Sequence, residues 1–154
     1  MIKDCNPLNI RYRSEGYWLG QAPSRGHPQF CRFYDMKWGF RAAFRLLLTY
    51  YERYHLDTVG KIVTRWAPPS ENDTKAYIAF VANQLCRSWS AIRPDAPLQK
   101  QAAPISDTPL PHPREQPRLW IALVLAMARM ECGAKRIGLP EAAACEEGYH
   151  LLFD

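Results

Sequence analysis

From Asp35 onward the chain carries an apolar stripe at helical spacing. Phe40, Phe44, Leu47, Tyr51 and Tyr54 recur at intervals of three and four, which places them on one face of an α-helix. Asp35 stands where an N-cap is expected, so the pattern predicts a helix reaching about Tyr54. A second cap at Asp57 opens a shorter stripe of Val59, Ile62, Val63 and Trp66. Pro68-Pro69 must end it, because proline lacks the amide donor and clashes with the preceding turn. Asn72 or Asp73 caps a third stripe through Tyr77, Ile78, Val81 and Leu85. Further on, Leu119, Leu123, Ala126, Met127 and Met130 mark a helix that Gly133 terminates, and Pro140 starts a last one to about Leu152.

Outside these stripes the pattern breaks down in two places. The first 34 residues interleave Pro7, Gly16, Gly20, Pro23, Gly26 and Pro28 with short aromatic pieces, which reads as loops with a small hairpin. Between Pro94 and Pro117 there are seven prolines and almost no large apolar side chains, so this stretch is expected to run extended as a tether. The expected fold is therefore all-α in the main. It comprises a helical half over residues 1–93, a proline-rich tether over 94–117, and a helix pair over 118–154 that packs on the first half as one domain.

Composition narrows the chemistry only a little. The five cysteines lie far apart with no CxxC pair, and the four histidines lack metal-ligand spacing, so no metal and no cofactor is expected. The N-terminal residues lack a basic stretch followed by the roughly 7–15 apolar residues of a secretory signal, and no apolar run reaches the ~20 residues of a membrane span. Synthesis in the cytoplasm without a signal peptide is the expectation, with delivery by other means if the target lies in the periplasm or cell wall. A net charge of +5 favours anionic partners without choosing among nucleic acid, a membrane surface and the carboxylate-bearing bacterial wall. Nucleic acid is the less favoured partner, since it calls for Arg11, Arg13, Arg25, Arg32, Arg41 and Arg45 on one face.

Three pieces in order carry a resemblance. They are Asn6-Pro7-Leu8-Asn9-Ile10-Arg11, then Phe30-Cys31-Arg32-Phe33-Tyr34 running into Gly39-Phe40-Arg41-Ala42-Ala43, then Arg65-Trp66-Ala67-Pro68-Pro69-Ser70-Glu71-Asn72-Asp73-Thr74. Over about residues 5 to 85 the chain resembles a family of small phage and prophage structural proteins. The same order of pieces is distantly similar to bacterial wall glucosaminidases of the lysozyme superfamily, in which a helix bearing a catalytic glutamate precedes an Asn-x-x-x-Ile-Lys loop. Too few residues precede Asn6 to form such a helix, but Glu131-Cys132-Gly133 closes the stripe near the other end. The resemblance thus implies a lysozyme-like helical domain, circularly permuted, in which the helix ending at Glu131 packs against the loop from Asn6 to Arg11.

On that resemblance the activity is that of a peptidoglycan glycosidase, of muramidase, glucosaminidase or lytic transglycosylase type, in a phage, prophage or secreted effector. Glu131 is then the general acid, protonating the departing glycosidic oxygen as positive charge grows on the sugar ring. Asp4, Glu15, Glu71 and Asp73 are candidates for a second carboxylate, with Glu15 ahead because it sits in an aromatic loop. Asn9, Trp18, Trp66 and Tyr77 would bind substrate. Each residue also has a plainer reading: Glu131 as a solvated end of a helix, Asn72 and Asp73 as caps, Trp66 as a core plug. The partners implied are peptidoglycan glycan strands and a virion, secretion-system or immunity protein. The alternative is a non-catalytic virion or interaction protein that keeps the lysozyme-like shape.

Overall fold

The computed structural model describes residues 2–14, 16–23, 27–92 and 104–153. Its helices are α1 (Met36–Tyr54), α2 (Val59–Trp66), α3 (Thr74–Ile92), α4 (Pro117–Cys132) and α5 (Leu139–Phe153). Among the described residues there is no strand, and two isolated antiparallel bridges, Arg11 with Phe30 and Gln21 with Phe33, stand where a hairpin is expected. The chain is all-α.

Capping explains most of the boundaries. Asp73 accepts from the Ala76 amide at 3.1 Å and so starts α3. At α2 the cap is Thr58, one residue later than expected, because its hydroxyl accepts from the Lys61 amide at 3.1 Å. Asp57 instead pairs with the Lys61 ammonium at 3.2 Å. α1 ends without glycine: His55 takes the left-handed conformation (φ 55°), and the Leu56 amide reaches back to the Tyr50 carbonyl at 3.0 Å. Gly133, at φ 97° and ψ 135°, ends α4 in a backbone conformation that glycine adopts far more readily than other residues.

The residues form two compact units, one of residues 1–46 with 127–154 and the other of residues 47–126. The boundaries fall inside α1 and α4 rather than at the ends of the proline-rich stretch. In the first unit the N-terminal loop and α5 both rest on the first turns of α1. A methyl group at Gly39 would lie 2.3 Å from the Cys5 carbonyl oxygen and 2.8 Å from Pro7, so only glycine lets the loop come this close. Gly148 of α5 meets the α1 backbone in the same way, 2.8 Å from the Lys37 carbonyl and 2.9 Å from the Arg41 amide. Phe44 and Tyr149 pack edge to face beside that crossing, 5.5 Å apart. Asn6 is the hub of the loop. It is buried, donates to the Ile10 and Cys31 carbonyls at 3.0 Å each, and accepts from the Ile10 amide at 2.9 Å.

The second unit packs α2 against α3, with a 3-10 turn at Ile105–Asp107 touching both. Here the tether expectation needs correction. Residues 104–116 do not run free: Ile105 and Leu110 are buried, and so is Pro113. The Tyr51 hydroxyl donates to the Leu110 carbonyl at 2.9 Å, and the buried Trp120 indole donates to the Pro111 carbonyl at 2.9 Å. Prolines remove amide donors, so a proline-rich segment can be buried once its carbonyls find partners. His112 meets Glu52 at 2.9 Å and adds a polar clip. Residues 94–103 of the expected tether lie outside the described residues.

Candidate functional site

α4 ends on the N-terminal loop. Asn9 takes a left-handed backbone (φ 53°), a conformation asparagine tolerates better than most residues. Its side-chain amide donates to Glu131 Oε1 at 2.9 Å across 122 residues of sequence. One residue on, the Cys132 thiol donates to the Pro7 carbonyl at 2.9 Å. Two contacts therefore tie the last turn of α4 to the Asn6–Arg11 loop, the juxtaposition that the order of motifs implies. Asn9 is exposed and Glu131 half-buried, so the pair sits at the surface of the first unit.

The neighbouring thiol reports on the polarity of this place. Burial, aided by the charge of Glu131, pushes Cys132 up to about 11 from 9.0, with Arg136 opposing. Cys132 is therefore expected to stay protonated near neutral pH and to resist alkylation, its rate rising only as pH approaches 11. The folded form holds this proton more tightly than the unfolded one. Its contribution to stability is complete below pH 9.0 and fades as pH climbs toward 11. Mass-spectrometric alkylation of the native chain across pH checks this, and rapid labelling at neutral pH would contradict it.

The other expected site residues are scattered. Trp18 belongs to the first unit, in a turn where its amide donates to Gln21 Oε1 at 2.9 Å, and the Arg13 guanidinium lies 5.6 Å from its ring centre. Trp66 and Tyr77 belong to the second unit. Trp66 packs edge-on to Tyr50 at 6.2 Å, while Tyr77 is only 5% exposed and acts as a core residue. Glu15 lies outside the described residues. Of the other carboxylates considered, Asp73 is a helix cap, Glu71 is exposed, and Asp4 lines a cavity of about 430 Å³ in the first unit with Arg32 and Tyr34.

The chain is similar to a phage protein. It is 42% identical over 85 residues to Protein P5 of Pseudoalteromonas phage PM2, covering 54% of this chain and 53% of that one. The match spans about half the length of this curated relative. No family model matches. No helix of the described residues is long and apolar enough to cross a membrane, and no group of three or more His, Cys, Asp or Glu side chains among them could hold a metal ion.

Sequence reasoning missed two features of the region. Asn6 carries the loop rather than any ligand, a role that only its burial reveals. Gly20 stands in the sequence as one more loop glycine, yet at φ 78° it is the seat of the Trp38 indole, since a methyl group there would lie 2.1 Å from that ring.

Proposed function

We propose that this chain is a phage-type protein acting on the bacterial wall, a peptidoglycan glycosidase or lytic transglycosylase whose acid is Glu131. The observation that carries the reading is the hydrogen bond from Asn9 to Glu131. It joins a glutamate at the end of a helix to a loop that resembles the one following such a glutamate in lysozyme-superfamily wall glucosaminidases, with the chain order permuted on this reading. In this role the carboxyl proton passes to the glycosidic oxygen as the bond to the anomeric carbon breaks. Water, or a hydroxyl of the same sugar, then bonds to that carbon and gives its proton back to the Glu131 carboxylate. Asn9 holds one carboxyl oxygen in place throughout, and Trp18 offers a ring face to a sugar. The protein would reach its substrate in a virion or through a secretion route.

A second reading, a non-catalytic virion protein that holds glycan strands or another protein, is favoured by the similarity to a phage protein and by the burial of Tyr77. Isolated peptidoglycan sacculi separate the two. The purified chain is expected to release soluble muropeptides from them. Binding without release, on sacculi of several wall chemistries, would overturn the catalytic reading and favour the second.

A further inference from the structure

The second unit carries an open groove of about 720 Å³ that the proposed centre does not use. α2 supplies one wall, and the turn at Ser106–Asp107 lies against it at Gly60, where a methyl would sit 3.2 Å from the Ser106 carbonyl oxygen. Four charged side chains line the groove: Asp57, Lys61, Arg65 and Asp107. Asp57 and Lys61 neutralise each other at 3.2 Å. Arg65 and Asp107 have no oppositely charged side chain within ion-pair distance among the described residues. Among the described residues the groove therefore presents one unmatched cation and one unmatched anion.

Arg65 is also oriented in advance. Its guanidinium carbon lies over the rings of Tyr50 and Tyr54, 5.7 and 5.1 Å from their centres, and these contacts restrain the side chain while a guanidinium keeps N–H donors suited to a planar acceptor such as a carboxylate. Asp107 offers a carboxylate to an ammonium. Ile78 and Pro109 supply apolar wall. A polyanion such as a nucleic acid or teichoic acid would meet Asp107 with like charge, and a neutral sugar would leave both charges unanswered.

We infer that this groove binds a short peptide carrying both a carboxylate and a free ammonium, with Arg65 taking the carboxylate and Asp107 the ammonium. Resting on the wall reading above, the ligand is the peptide stem of peptidoglycan, whose diamino acid bears that ammonium. The site then holds the wall by its peptides, separately from any cleavage at Glu131.

Calorimetric titration of the full chain with a synthetic stem tetrapeptide tests this without reference to catalysis. Three probes are used: the free peptide, its form with the diamino-acid amine acetylated, and its C-terminal amide. The free peptide is expected to bind saturably. Arg65→Gln and Asp107→Asn should each weaken it by roughly tenfold, the scale of one lost charge-assisted contact. Asp107→Asn should cost nothing further with the acetylated peptide, nor Arg65→Gln with the amide. Both side chains are exposed, and unchanged melting temperatures confirm intact variants. No binding of the free peptide, or equal binding of all three probes, overturns the inference. Absence of peptide binding in a chain that still releases muropeptides sinks the groove alone, while peptide binding in a chain inert on sacculi sinks only the catalytic reading.

Discussion

Glu131→Gln is expected to lower muropeptide release from sacculi by about 10²–10⁴-fold, the usual cost of removing a general acid. The substitution is close to isosteric, and the glutamine oxygen can still accept from the Asn9 amide that now reaches Glu131 Oε1 at 2.9 Å. The last turn of α4 also keeps its second tie, from Cys132 to the Pro7 carbonyl. Circular dichroism and the melting temperature should therefore stay close to those of the native chain while the acidic proton is lost. A folded variant that releases muropeptides at the native rate would remove Glu131 from the chemistry.

Trp120→Ala is expected to cost about 3–5 kcal/mol of stability, the range for truncating a buried tryptophan. The side chain has no exposed surface, meets Tyr51 edge to face at 5.7 Å, and satisfies the Pro111 carbonyl. Its removal opens a cavity and strips that carbonyl of its donor together. Trp120→Phe keeps most of the ring volume and loses only the donor, so it should cost less. Denaturant unfolding of both variants measures the difference. A loss below about 1 kcal/mol for the alanine variant, the level of an ordinary substitution, would show that burial of residues 104–116 does not depend on this side chain.

The helices were legible because their cause is local. Spacing of three and four from Phe40 to Tyr54, a double proline after Trp66 and a glycine after Cys132 each act within a turn or two, and the structure follows them closely. Where two cap-competent residues stand side by side, as Asp57 and Thr58 do, the local signal cannot choose between them. Burial of Ile105 and Leu110 was hidden because proline content masks isolated apolar positions whose partners, Tyr51 and Trp120, lie on distant helices. The meeting of Asn9 with Glu131 could not come from periodicity at all, since it spans 122 residues. It was legible only through the resemblance drawn from the order of motifs. The charges of the groove were invisible for the same reason, because Arg65 and Asp107 become unmatched only when the fold determines who sits beside them.

The first compact unit is assembled from both ends of the chain, whereas the second is one unbroken stretch, residues 47–126. Contacts between remote residues close last because long loops are entropically costly to close. The groove of the second unit can thus form before the Asn9–Glu131 contact, which spans 122 residues. Arg65 and Asp107 thus belong to one continuous stretch of chain, while Asn9 and Glu131 meet only once its two flanks have come together.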